Sequence, residues 1–397
     1  MKSEWKTIRA ADFMEFNPRM NLKKGTIATK ISMDKLQPYT KKIPETEQAE
    51  FSGGTKFLNG DTIMARITPC LENGKTAFVD CLNKDEVAFG STEFIVLRAK
   101  PGVSDAQFVY YLATSPEFRQ VAIKSMVGSS GRQRVQQPVL ENLELVVPEL
   151  PEQKRIGGFL ATIDDKIALN AKINDNLEQQ AVALFKSWFV DFSLFGGTVP
   201  ENWEDTTLEN ITTLITRGIA PKYSDNSDQT VVNQKCIRNH TIDLSLARTH
   251  TPKAINEKWL KFGDLLINST GDGTLGRVAQ VWFAPKALTV DSHVTIVRPA
   301  REELIFYIGL WGILHEKEIE SLHTGSTGQT ELPRDRVKKL KLLLPDNISL
   351  SRFNSIIAPM ASTIISNQEE NQKLASLRDT LLPKLMSGEI DVSSIQL

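Results

Sequence analysis

Apolar positions follow two different rhythms along this chain. Over about 1–150, and again over 196–347, they come in short alternating runs broken by Gly, Pro and Asn. Residues 62–67, 75–79 and 277–283 each predict a strand, and short helices are expected at 106–113 and 303–314. Over 152–190 and 349–387 the texture changes, with Gln, Asn, Lys and Leu arranged at helical spacing. The expected fold class is α+β: two similar globular domains and two long helices.

The two rhythms repeat because the sequence does. Residues 143–148 read LELVVP and 340–345 read LKLLLP, an offset of 197. At the same offset Gly128-Ser129-Ser130-Gly131 matches Gly325-Ser326-Thr327-Gly328. Gly60-Asp61-Thr62-Ile63 resembles Gly263-Asp264-Leu265-Leu266, the run 94–98 echoes 294–298, and Trp5 resembles Trp203. Five similarities in one order mean a unit of nearly 200 residues used twice, a period too long for a solenoid. The expected parts are domains at 1–150 and 196–347, with helical spacers at 151–195 and 348–397.

Both helices carry a heptad seam. In the first it runs Ile156, Leu160, Ile163, Ile167, Asn170, Asn174, Leu177, Ala181, Leu184, Trp188. In the second it runs Phe353, Ile357, Met360, Ile364, Asn367, Asn371, Leu374, Arg378, Leu381, Leu385. An antiparallel register that sets Asn170 opposite Asn371 also sets Asn174 opposite Asn367. Facing amides satisfy one another in that register alone, so they specify alignment at some cost in stability. One layer is poor, Ile163 against Arg378, and Arg378 is expected to snorkel outward. The alternative is that each helix packs separately on its own domain. Paired, the helices form a pseudo-twofold antiparallel coiled coil of roughly 50 Å, a ruler between the domains.

Composition removes whole classes of function. Hydrophobic residues are 41% and charged residues 24% of 397, enough for globular cores. Lys plus Arg (47) nearly cancels Asp plus Glu (48), so net charge points to no nucleic acid. Residues 1–150 alone carry 20 basic and 18 acidic side chains, so any basic surface must be local. Cys70, Cys81 and Cys236 fit neither a disulfide framework nor a zinc site. No apolar run is long enough to span a membrane and the first residues lack a signal-peptide core, so a cytoplasmic protein is expected.

Catalytic motifs fail one by one. Gly271, Gly273 and Gly276 spell G-x-G-x-x-G, but the following residues alternate like a strand, so a hairpin loop is expected, not a nucleotide site. Gly74-Lys75-Thr76 ends like a phosphate loop, yet Pro69 stands where its first glycine belongs. His315-Glu316 lacks the second zincin histidine, and all five histidines lie in one half without ligand spacing. The Asn/Asp-Pro-Pro-Tyr/Phe segment used by amino-methyltransferases is not found. No active site, cofactor or metal is expected in this chain.

Binding is then expected in loops. Residues 128–135 read GSSGRQRV: small residues let backbone approach a phosphate, and Ser129, Ser130, Arg132, Gln133 and Arg134 offer donors for phosphates or base edges. The partner loop, 325–332, reads GSTGQTEL and offers Ser326, Thr327 and Gln329 instead. A second loop puts Arg66 and Lys75 around a turn, with Ser269 and Thr270 as counterparts. Lys23 and Lys24 add a basic pair, as do Lys41 and Lys42, although such pairs are commonly a solvated face.

The run Gly60-Asp61-Thr62-Ile63-Met64-Ala65-Arg66-Ile67-Thr68-Pro69-Cys70-Leu71-Glu72-Asn73-Gly74-Lys75-Thr76-Ala77 resembles the specificity subunit of type I restriction–modification systems. So do Leu150-Pro151-Glu152-Gln153-Lys154-Arg155-Ile156, the segment 184–189 (LFKSWF) and the segment 381–390 (LLPKLMSGEI). The likeness spans the whole chain. It departs at the start of the second helix, where Asp346-Asn347-Ile348-Ser349 replaces Pro-Glu-Gln-Lys. The resemblance implies two target recognition domains joined by antiparallel helices, reading an asymmetric two-part site in double-stranded DNA. It also implies docking of two modification subunits, which bind S-adenosylmethionine and methylate adenine, and of restriction subunits that use ATP and Mg. On that reading this chain is not an enzyme. A stand-alone methyltransferase or nuclease would need a cofactor or metal motif, and a pure coiled-coil scaffold would not bind DNA in a salt-dependent way.

Overall fold

The computed structural model describes residues 5–271, 273–325 and 330–392. The chain divides into two units, 1–170 with 369–397, and 171–368. In the first, an antiparallel sheet runs in the order Met14–Phe16, Phe94–Ala99, Thr62–Ala65, Thr76–Phe78. A second sheet runs Glu47–Glu50, Ile27–Ile31, Ala88–Gly90, Thr55–Phe57, parallel only where its two middle strands meet.

Strand Phe94–Ala99 explains why this half is built from unbroken apolar runs. Successive side chains face opposite ways, and both faces are covered. Phe94 and Val96 join Ile63, Phe57 and Ile31 between the sheets. Ile95 and Leu97 join Met64, the helix Ala106–Thr114 and the long helix Leu150–Phe189. The helix at 106 starts where Asp105 accepts the Phe108 N–H at 3.0 Å, an N-cap that satisfies one free donor.

The second unit repeats the plan. Its antiparallel sheet runs Thr212–Arg217, Val294–Pro299, Leu265–Asn268, Val278–Gln280, and its second sheet runs Arg248–Thr249, Thr230–Val232, Leu288–Val290. The expected strands are shorter than their apolar runs, ending at Ala65 and Gln280. The expected helix at 303 starts as a 3₁₀ turn, Glu302–Leu304, before Ile305–Leu314. A hairpin of Ile237–Arg238 with Thr241–Ile242 belongs to this unit's own loop. The repeated Gly-Asp pair has a structural job in both units. Arg98 pairs with buried Asp61 at 2.6 Å and Arg298 with buried Asp264 at 2.7 Å, while each aspartate also accepts a turn N–H, from Leu58 or Lys261.

The long helices, Leu150–Phe189 and Asn347–Met386, are each 40 residues. In the first unit they run antiparallel. Asn170 Nδ2 donates to Asn371 Oδ1 at 2.9 Å, and Asn371 Nδ2 donates to the Ile167 carbonyl at 3.2 Å. Ile156 and Leu160 share the unit's core with Leu382, Leu385, Met386 and Val392. In the second unit Asn367 Nδ2 donates to Asn174 Oδ1 at 2.8 Å, and Phe185 and Trp188 pack on Phe353 with ring centroids 6.0 and 5.6 Å apart.

Two details correct the sequence reading. Arg378 does not snorkel outward: it turns in to Asp164 at 2.6 Å, and Tyr111 Oη donates to the other carboxylate oxygen at 2.6 Å. Asp164 lies one residue off the seam, where a heptad reading does not look. Gly157 sits inside the first helix because a Cβ there would lie 2.8 Å from the Phe108 backbone nitrogen. The side-chain-free face lets helix and domain backbone approach.

Candidate nucleic-acid interface

Both units build the same backbone junction from two loops that are far apart in sequence. In the first, Arg134 bridges Ile67 and Val127. Thr68 N–H donates to the Gln133 carbonyl at 3.0 Å, and Val135 N–H donates to the Arg66 carbonyl at 2.8 Å. In the second, Glu331 bridges Thr270 and Thr324, and Leu332 N–H donates to the Ser269 carbonyl at 2.8 Å. The loop at 128–135 and the loop at 66–75, chosen separately, are thus neighbours.

On this shared frame the side chains differ in sign. Arg134 forms an ion pair with Glu93 at 2.6 Å; at its counterpart position Glu331 pairs with Arg217 at 2.7 Å. A guanidinium also meets the equivalent carbonyl in each unit, Arg66 on Val135 at 3.2 Å and Arg217 on Leu332 at 2.9 Å. Glu93 and His293 both stand just before the central strand. Thr270 Oγ1 bonds His293 Nδ1 at 2.7 Å and Gln234 Oε1 at 3.2 Å. Sequence reading missed Glu93, Arg217, Gln234 and His293. The repeat itself held a signal for Glu93 and His293, which precede the matched runs 94–98 and 294–298.

The remaining candidates separate by exposure. Ser129, Ser130 and Arg132 are exposed, with the Arg132 N–H closing a turn onto the Ser129 carbonyl at 2.9 Å, and Gln133 is half-buried. Lys75 is turned to the Met33 carbonyl at 2.9 Å. Ser269 is fully buried, its hydroxyl shared with Thr295 at 2.5 Å, which removes it from the surface. Lys23 and Lys24 are exposed on the turn before Ile27–Ile31, in the second sheet. Lys42 pairs with Asp80 and Asp165, and Lys41 is buried among the rings of Phe78, Tyr110 and Tyr111, so that pair is not a solvated basic face. Ser326, Thr327 and Gln329 lie outside the described residues.

Gly271, Gly273 and Gly276 lie between the paired strands Leu265–Asn268 and Val278–Gln280, as expected of a hairpin. Among the described residues no group of three His, Cys, Asp or Glu is placed to hold a metal, and no helix is long and apolar enough to cross a membrane.

Comparison with known proteins places this architecture. Residues 2–179 match the family described as Type I restriction modification DNA specificity domain. The MjaIX type I specificity subunit of Methanocaldococcus jannaschii is 26% identical over 73% of this chain and 70% of its own length. The HindI specificity subunit of Haemophilus influenzae is 23% identical over 83% and 86%. The crystal structure of a type I restriction–modification S subunit from M. genitalium shares the fold, with a TM-score of 0.55 over 96% of both chains at 16% identity. Over residues 2–179 the chain carries the type I restriction–modification DNA specificity domain, and over most of its length it is similar to type I specificity subunits.

Proposed function

We propose that this chain directs a type I restriction–modification complex to an asymmetric, two-part site in double-stranded DNA. Target recognition domains at 1–150 and 196–347 each read one part, with helical spacers at 151–195 and 348–397. The observation that carries this reading is the shared junction: one backbone frame, used twice, presents Arg134 with Glu93 in one unit and Glu331 with Arg217 in the other. Equal frames with unlike side chains suit two half-sites of unlike sequence, because base edges are read by side chains while the backbone sets position.

In this reading Ser129, Ser130, Arg132, Gln133 and Arg134 meet DNA in the first half, with Arg66 and Lys75 supporting the neighbouring loop. Thr270, Ser326, Thr327 and Gln329 serve the second half. The chain itself is not catalytic. Two modification subunits, carrying S-adenosylmethionine, dock on it and methylate adenine; restriction subunits using ATP and Mg complete the complex. Its place of action is the cytoplasm, where DNA and partners meet.

The test is a genome-wide methylation readout in cells that express this chain with its modification subunit. A new two-part methylated motif with a fixed gap is expected. An active partner that leaves no new motif overturns the reading.

A further inference from the structure

The second unit carries an arginine mounted differently from the ion-paired guanidinium groups. Arg248 Cζ stands 3.6 Å from the Tyr223 ring centroid, within cation–π stacking range. Both residues are exposed, Tyr223 by 40%. Stacking occupies the face of a guanidinium and leaves its in-plane N–H donors free. Among the described residues those donors meet no carboxylate or carbonyl. Elsewhere Arg98, Arg298 and Arg378 are bound to buried aspartates, and Arg134 and Arg217 face glutamates.

The mount is rigid. Thr251 N–H donates to the Lys222 carbonyl at 2.8 Å and Ser224 N–H to the Thr249 carbonyl at 3.2 Å; Thr249 Oγ1 returns a bond to the Ser224 carbonyl at 2.5 Å. Tyr223 bridges His250, which is fully buried, and Arg248–Thr249 is an edge strand on Thr230–Val232. The equivalent edge of the first unit, Glu47–Glu50, is acidic, and Glu47 there pairs with Lys30 at 2.8 Å. No arginine stands at that edge of the first unit; the arginine over a tyrosine there, Arg119 at 5.1 Å from the Tyr39 ring centroid, is held by the Leu71 and Glu72 carbonyls. Arg248 on Tyr223 also lies near the junction: Tyr223 follows Arg217 by six residues, a reach of at most about 20 Å, shorter than one DNA turn of roughly 34 Å.

We propose that Arg248, held on Tyr223, is a specificity-determining residue of the second unit that reads a guanine through O6 and N7 in the major groove. A planar fork of donors fits those two acceptors, and pre-stacking removes the freedom the side chain would otherwise lose on binding. The inference rests on the DNA-recognition reading above and adds the base and the residue that reads it.

The experiment maps methylated motifs in cells carrying the modification subunit with the full chain, as wild type, Arg248→Ala, Arg248→Lys or Tyr223→Leu. Competition between duplexes then measures each base preference. Arg248→Ala is expected to relax a guanine preference at one base pair of one half-site by about 5- to 150-fold, leaving the other half-site unchanged. Arg248→Lys keeps the charge and the affinity for non-specific duplex yet relaxes the same base pair, which a folding or phosphate role would not produce. Tyr223→Leu relaxes that base pair as well. An unchanged motif in Arg248→Lys, or weakening spread over all sequences, overturns the proposal. A wild-type chain that gives no two-part motif overturns the underlying reading instead.

Discussion

Asn170 donates its amide to Asn371 at 2.9 Å between the two long helices, and Asn170 is fully buried there. Removing one partner of such a bond leaves the other unpaired, which costs more than the bond's net worth. Because Asn170 would keep its bond to Glu370 at 2.7 Å, the substitution that strands a partner is Asn170→Leu. It leaves Asn371 Oδ1 without its donor and is expected to destabilise the helix pair by about 1–3 kcal/mol. The Asn170→Leu, Asn371→Leu double variant recovers most of that loss and weakens the choice of register. Urea melts followed by helical circular dichroism check the stability, and cysteine cross-links along the seam check the register. A double variant as unstable as the single one contradicts this account.

The Asp164–Arg378 pair is a sharper case, since the Asp164 and Arg378 side chains are only 5% and 13% exposed. Asp164 also accepts from Tyr111, so Asp164→Ala strands a buried phenol and leaves the Arg378 guanidinium only the exposed Asp379 at 2.8 Å. The expected loss is about 3–5 kcal/mol. Asp164→Leu with Arg378→Met restores much of it, because a well-packed apolar pair needs no desolvation of charge. Denaturant midpoints of the three chains decide the point.

Stability of the second unit should fall as pH rises from about 5 to 8. His240 faces Glu316 at 3.5 Å, and that hydrogen bond, against the opposing effect of burial and with help from Glu178, holds the imidazole above its ordinary 6.5. A raised histidine stabilises below its unfolded pKa and loses that contribution as pH climbs through the folded one. Burial, with Asp175 adding to it and His240 opposing, pushes Glu178 up to about 7 from its ordinary 4.5. The fold therefore holds more protons than the unfolded chain across that interval, and stability again declines upward. Glu316, held below its ordinary 4.5 by His240 and the Val278 N–H despite burial, acts only under more acid conditions. Five of the six tryptophans lie in 171–368, so tryptophan fluorescence reports this unit. Its melting point should be higher at pH 5.5 than at pH 8, and Glu178→Gln with His240→Ala should flatten the difference.

Under the proposed DNA-recognition role of Arg134, its ion-pair partner Glu93 competes with DNA phosphate. Glu93→Gln removes the competitor and should tighten binding to a non-specific duplex at low salt, with a steeper salt dependence. Arg132→Ala should weaken it and shallow the slope of log K against log salt by about one unit. Fluorescence anisotropy between 50 and 200 mM salt, on the assembled complex, measures both. Equal slopes for wild type and Arg132→Ala would remove Arg132 from the phosphate contacts.

Periodicity made the repeat, the two long helices and their antiparallel pairing legible, because each is written in spacing along one chain. The Arg378–Asp164 contact was not, since its partner stands beside the seam and 214 residues away. Arg134 read as a free donor because Glu93 comes from another loop, and Ser269 read as surface although Thr295 closes over it. Tyr223 and Arg248 are 25 residues apart with nothing in their spacing to join them; only the pairing of 222–224 with 249–251 does so. Long-range side-chain partnership is what the sequence hid.

The sharing of one core by Ile156, Leu160, Leu382, Leu385 and Val392 also sets an order of assembly. Residues 171–368 form a contiguous stretch and can close on themselves once they have left the ribosome. The first unit, although made first, waits for 369–392 to fill its core. Of the two units, the one whose synthesis starts earlier is finished later, and loss of residues within 369–392 would strike 5–170 harder than 171–368.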